Sequence, residues 1–168
     1  MITMMALLSY TLSVKAQKEQ GVYVGPSCYT FITEGVTDIG PELSFGYKFD
    51  DSFKAELSGM YMFEKDNVTR WSTGLSMMYL RHAKSDKFVW FPLAGIRLHG
   101  AQSKVPLFDG EKNYIQNIKM ARLGVDLGIG CEYFLSSQVS LFTDFRYHLI
   151  IDGASNTGAW RIGLYYHF

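Results

Sequence analysis

The chain has 168 residues, enough for one domain, and its sixteen basic side chains are balanced by sixteen acidic ones. Without net charge or a basic groove there is no field to draw nucleic acid. Mean hydropathy near zero fits a soluble domain, but equally a chain whose apolar and polar faces cancel. Beyond the first sixteen residues no run of about 18 apolar residues occurs, so no transmembrane helix is expected. Two cysteines cannot frame a disulfide-rich fold; Cys28 and Cys131 read as small apolar side chains.

In chain order, residues 1–16 form an apolar segment that ends on Val14-Lys15-Ala16, with small residues suited to a signal-peptidase cut before Gln17. A basic start is missing, so an initiation codon upstream is the expectation, and no Cys follows where a lipoprotein would need one. The expected organisation is a signal peptide over 1–16 and one domain over 17–168; a buried amino-terminal helix is the alternative. Eight segments of strand length follow, at roughly 20–31, 38–50, 53–64, 70–81, 87–100, 117–135, 138–151 and 158–168. Short polar stretches, Asp50-Asp51-Ser52, residues 82–86 and Ser136-Ser137, suit tight turns. The other connections are expected to be longer, and the longest spans about 101–116, with Pro106, Asp109-Gly110 and Asn113. Short turns on one rim and longer loops on the other is the layout of a membrane barrel.

Period-two alternation assigns faces. In the sixth segment Leu123, Val125, Leu127, Ile129, Cys131 and Tyr133 oppose Arg122, Gly124, Asp126, Gly128, Gly130 and Glu132. The seventh separates Leu141, Phe145 and Leu149 from Ser140, Phe142, Asp144, Arg146 and His148. The third sets Leu57, Tyr61 and Phe63 against Lys54, Glu56 and Ser58, and the second sets Leu43, Phe45 and Tyr47 against Glu42, Ser44 and Lys48. Charges collect on one face each time; the inverse arrangement would put them in lipid at about 2–4 kcal/mol per Arg or Lys. The first segment fits either orientation, and the fifth keeps Phe91 and Leu93 on the side of Arg97 and His99.

The last segment alternates Trp160, Ile162, Leu164, Tyr166 and Phe168 with Arg161, Gly163, Tyr165 and His167, and ends on its apolar face at an aromatic residue. With the run Gly124-Val125-Asp126-Leu127-Gly128-Ile129-Gly130-Cys131-Glu132-Tyr133-Phe134-Leu135, followed by Val139-Ser140-Leu141, and with Phe145-Arg146-Tyr147, this ending resembles the small outer-membrane β-barrels of Gram-negative bacteria, similar to OmpX and to the membrane domain of OmpA. The resemblance covers about residues 20–168. It implies an all-β, eight-stranded antiparallel up-and-down transmembrane barrel with both termini periplasmic, surrounded by outer-membrane lipid. It also implies that Leu164, Tyr166 and Phe168 form the signal read by the barrel assembly machinery. No peptidoglycan-binding domain follows, so a tethering role does not carry over.

Counting from the periplasmic turns puts Glu42, Arg97, Asp126, Asp144, Arg146 and Arg161 at comparable depth inside the barrel. Opposed guanidinium and carboxylate groups in so narrow a lumen should pair, as a structural plug rather than a gated pore. No metal or cofactor site is expected: His82 and His167 fall near one rim, His99 and His148 near the other, with no carboxylate close enough to complete a set; His99 with His148 stays as an alternative where strand ends converge. The only hydrolytic hint is His148 with Asp152 and Ser155 nearby in sequence, too little for an enzyme. The sequon Asn67-Val68-Thr69 has no meaning in a bacterial setting. The expected function is structural or recognitional, through outer loops around 32–37, 64–69, 101–116 and 152–157. Alternatives are an accessory subunit contacting other outer-membrane proteins through those loops, or a soluble lipocalin-like binder with both faces inverted.

Overall fold

A computed structural model describes residues 20–33, 36–65, 67–83, 87–108, 113–151 and 156–168; residues 1–16, read from the sequence as a signal peptide, lie outside this range. Eight long strands run in sequence: β1 (Gly21–Thr33), β2 (Val36–Lys48), β3 (Phe53–Lys65), β4 (Val68–Tyr79), β5 (Phe88–Phe108), β6 (Asn113–Phe134), β7 (Val139–Ile150) and β8 (Thr157–His167). After Leu80, Arg81–His82 prolongs β4 as a short extra rung against Val89 and Trp90. Every strand pairs antiparallel with its sequence neighbour, and β8 pairs with β1, so the meander closes into a barrel. Closure leaves the wall without free edges, as a hydrocarbon environment requires.

Gly21 and Phe168 lie on one rim, the terminal rim. The Phe168 amide donates to the Val22 carbonyl at 3.0 Å, tying the last residue into the β1–β8 seam. The same seam has a gap: the ladder stops at Val24↔Tyr166 and resumes at Ser27↔Gly163, since Pro26 has no N–H to donate. Turns on the terminal rim are tight and polar. Asp50 Oδ1 accepts from the amides of Ser52 (2.6 Å) and Phe53 (2.8 Å), and Ser136 Oγ accepts from those of Gln138 (3.2 Å) and Val139 (3.0 Å).

The distal rim differs from the sequence expectation in two ways. The β1–β2 and β3–β4 connections are short, because pairing continues to Thr33↔Val36 and Lys65↔Val68; Asn67 takes a left-handed φ of 61°, which Asn tolerates. Much of the expected loop 101–116 is strand: β5 and β6 pair continuously from Phe88↔Tyr133 to Phe108↔Asn113. The wall ends at Gly124↔Ile150 beside β6 and at Val68↔Ser103 beside β5, so from Lys104↔Asn117 outward β5 and β6 stand beyond the rim as a two-stranded ribbon. Its base is braced by the β3–β4 turn, through Lys104 Nζ to Glu64 Oε2 (2.7 Å) and the Lys104 amide to the Asn67 carbonyl (2.9 Å).

The faces follow the alternation. Leu43, Phe45, Leu57, Leu75, Ile96, Leu127, Ile129, Phe145, Trp160 and Ile162 are exposed on the outside. Aromatic rings band the terminal rim, with Tyr47–Phe49, Phe53–Tyr79 and Tyr166–Phe168 centroids 5.2, 5.0 and 5.0 Å apart, and Tyr61–Phe63 sits toward the distal rim. This apolar belt between aromatic girdles is that of a barrel in lipid, and it excludes the inverted lipocalin-like arrangement. In β1 the orientation left open by sequence is settled: Tyr23 and Tyr29 point inward, while Cys28 is exposed outside. Cys28 and Cys131 are both free.

Candidate functional site

Inward-facing side chains form three tiers, and the middle one is ionic. Arg97, Arg146 and Arg161 have no exposed surface, and Glu42, Glu56, Asp126 and Asp144 surround them. The lumen can hold three such long side chains because small residues lie opposite them. Gly74 and Gly124 pair directly with Arg97 on either side, and a Cβ on Gly74 would come within 3.1 Å of its guanidinium. Arg161 is the hub: Nη1 donates to Glu42 Oε1 (2.6 Å) and Glu56 Oε1 (2.8 Å), and Nη2 and Nε to Asp144 Oδ2 (2.5 and 2.8 Å). Arg146 bonds Asp144 Oδ1 (2.8 Å), Glu56 Oε1 (3.1 Å) and Ser76 Oγ (3.1 Å). Arg97 bonds Asp126 Oδ2 (2.8 Å), Ser72 Oγ (3.0 Å) and Ser58 Oγ (3.0 Å), and its Nη1 lies 3.5 Å from Glu42 Oε2. Multiple charge-assisted bonds of this kind make burial of so many ions tolerable.

The six residues assigned to the lumen from sequence thus share one cluster. Sequence reasoning missed Glu56, which bridges two arginines and accepts from Tyr165 Oη at 2.6 Å. Counting residues from a turn ignores strand tilt, which displaces depth from one strand to the next. The hydroxyls of Ser44, Ser58, Ser72 and Ser76 were missed too, although inward serines on three adjacent strands were a legible signal.

The tier nearest the terminal rim is mixed. Lys54 Nζ bonds Glu132 Oε2 at 2.7 Å and sits 5.1, 4.7 and 4.6 Å from the ring centroids of Tyr23, Phe91 and Tyr165. Phe142 stacks on Tyr165 at 3.8 Å, and Met78, Leu80, Val89, Phe91, Leu93 and Phe134 fill the remainder, which explains the inward Phe91 and Leu93. Gly46 is needed here, since a Cβ would lie 2.1 Å from the Tyr23 ring.

Above the ionic tier Tyr29 Oη and His148 Nε2 are 2.5 Å apart, and His148 Nδ1 is 2.6 Å from Asp126 Oδ1. His148 therefore lies deeper than the rim position read from sequence, and a carboxylate is close to it after all. Asp152 and Ser155, the other members of the hydrolytic hint, lie outside the described residues. His82 and His167 lie toward the terminal rim; His167 Nε2 is 3.1 Å from Glu132 Oε1. At the distal end the barrel opens into a cup of about 530 Å³ lined by Phe31, Met60, Met62, His99, Arg122 and Thr157, with the Asp38–Arg70 ion pair also at its wall.

Comparison with known proteins agrees with this architecture. Among solved structures, the N-terminal β-barrel domain of Pseudomonas aeruginosa OprF superposes with a TM-score of 0.64 at 12% identity, covering 87% of this chain and 97% of that one. Ail, the attachment invasion locus protein of Yersinia pestis, gives 0.60 at 16% identity, covering 89% and 97%. Neisserial surface protein A gives 0.56 at 19%, covering 90% and 98%. At these identities the likeness is one of fold. No curated protein matches the chain significantly. The family model for the outer membrane protein beta-barrel domain matches residues 2–168, and the chain belongs to that family.

Proposed function

We propose that this protein is a plugged outer-membrane barrel that acts through its distal surface, as a structural or recognition element, rather than as a pore or an enzyme. The observation that carries this reading is the ionic tier: three unexposed arginines and four carboxylates interlock across the lumen. A solute crossing it would have to break several charge-assisted bonds at once. In this reading the termini face the periplasm, the ribbon and cup face outward, and Leu164, Tyr166 and Phe168 are presented to the assembly machinery. Lipid covers the apolar belt.

The test combines conductance with surface labelling. Purified barrels in planar bilayers should show no stable single-channel conductance, and a steady open channel would overturn the plug. In a Cys28→Ser, Cys131→Ser background, Lys119→Cys on the exposed outer part of β6 should react with a membrane-impermeant maleimide on intact cells. Labelling only after lysis would reverse the orientation. The accessory-subunit reading draws on the short β1–β2 and β3–β4 connections, which suit a surface covered by a partner. Another outer-membrane protein co-purifying in fixed ratio, and lost on removal of the ribbon, would favour it.

A further inference from the structure

The cup and the ionic tier meet at three donors that the plug does not exhaust. One ligand atom each from His99, Asp126 and His148 lies within 4.8 Å of the other two. The imidazoles have centroids 5.1 Å apart and planes at 72°. Among the described residues His99 Nε2 is buried with no hydrogen-bond partner, and Gly124, two residues along β6 from its cross-strand neighbour Arg122, offers no side chain; a Cβ there would lie 3.6 Å from Nε2. His99 also lines the cup, so the group has an entry path. Charge points the same way. With neutral imidazoles, the tier's four carboxylates (Glu42, Glu56, Asp126, Asp144) exceed its three arginines (Arg97, Arg146, Arg161) by one negative charge.

We propose that His99, Asp126 and His148 form a binding site for a divalent first-row transition ion of the zinc class, with one coordination position open to the cup. Two imidazole nitrogens and one carboxylate oxygen with a vacant fourth position is the donor set of open zinc sites, and it lacks the thiolates favoured by softer ions. Asp126 keeps Oδ2 on Arg97 Nε (2.8 Å) and offers Oδ1. His148 offers Nδ1. In the metal-free state the hydrogen-bond pattern has Nδ1–H donating to Asp126 Oδ1 and Nε2 accepting from the Tyr29 hydroxyl. On binding, the proton moves to Nε2 and Tyr29 Oη becomes its acceptor, the outer contact that metal-bound histidines usually make. Metal–ligand bonds of about 2.0–2.2 Å put tetrahedral donors roughly 3.3 Å apart. The Asp126–His148 contact therefore widens and His99 swings inward. The cations that oppose the ion are Arg97, Arg146, whose Nη1 is 3.9 Å from Asp126 Oδ2, and Arg122 on the cup wall. The surplus carboxylate offsets part of that repulsion.

The test is a zinc titration of the chelator-stripped, folded barrel in detergent against a chromogenic indicator. One equivalent should bind per barrel. His99→Gln should weaken binding at least tenfold while keeping the heat-modifiable gel mobility of a folded barrel, and His82→Gln at the opposite rim should leave it unchanged. Absence of stoichiometric binding, full affinity in His99→Gln, or loss of binding in His82→Gln would each overturn the site. If His99→Gln does not fold, side-chain NMR of the wild-type histidines decides. Zinc should shift the ring nitrogens of His99 and His148 and leave those of His82 and His167 in place, and the reverse pattern refutes the assignment. A conducting barrel would sink the plug without touching this result.

Discussion

Replacing Arg161 with Met tests the ionic tier most directly. The guanidinium is fully buried and binds three carboxylates at 2.5–2.8 Å, with further bonds to Ser44 Oγ (3.0 Å) and Tyr165 Oη (3.3 Å). Its removal leaves Glu42, Glu56, Asp126 and Asp144 facing Arg97 and Arg146, and leaves Glu42 with Arg97 Nη1, 3.5 Å away, as its ionic partner among the described residues. Breaking a buried ion pair from one side costs about 3–5 kcal/mol, because the remaining charge stays desolvated without compensation. The expected loss is therefore about 3–5 kcal/mol, a shift of roughly 10²- to almost 10⁴-fold in the folding equilibrium. The surface pair Lys104–Glu64, with both side chains over two-fifths exposed, serves as the internal control; Lys104→Met should cost no more than about 1 kcal/mol. The assay is reversible denaturant unfolding in lipid vesicles, followed by tryptophan fluorescence. Adding Glu42→Gln to Arg161→Met should recover part of the loss, a coupling of roughly 0.5–3 kcal/mol. An Arg161→Met barrel within about 1 kcal/mol of wild type, or no more affected than Lys104→Met, would refute the argument that this tier holds the lumen together.

Gly46→Ala should destabilise by about 1–3 kcal/mol through its clash with the Tyr23 ring, and Tyr23→Leu in the same chain should relieve it, measured by the same unfolding assay. On the lipid face, Leu127→Arg should cost about 2–4 kcal/mol in vesicles, whereas Cys131→Ser should be mild. Deleting Phe168 should block insertion in cells, scored by fractionation and by gel mobility without boiling; normal insertion would count against the ending as an assembly signal. At the terminal rim, the hydrogen bond from Lys48 Nζ (2.8 Å) holds the Asp51 carboxyl below its ordinary 3.8. A lowered folded-state value means this clamp contributes above the unfolded-state value and is lost as pH falls through the folded one. An NMR titration should place the Asp51 midpoint below 3.8 and Lys48→Met should return it there.

The sequence by itself determined which side of each strand meets lipid in β2, β3, β6, β7 and β8. Period two is a local property, and a charge in hydrocarbon costs enough to fix its sign. The Phe168 ending and the glycine-rich stretch 124–135 carried the fold class. Only the tertiary structure decided which lumen groups touch. Arg161 meets Glu56 and Glu42 from 105 and 119 residues away, and such meetings depend on strand tilt and register, which alternation leaves free. For the same reason Asp126 was not foreseen beside His148, although β6 and β7 pair those two residues directly. The ribbon escaped detection on different grounds. Residues 101–104 and 116 read as loop because they lie where the wall gives way to the ribbon, and residues 116–123 of β6 are exposed on both faces, so nothing there selects the apolar alternation that marked the other strands.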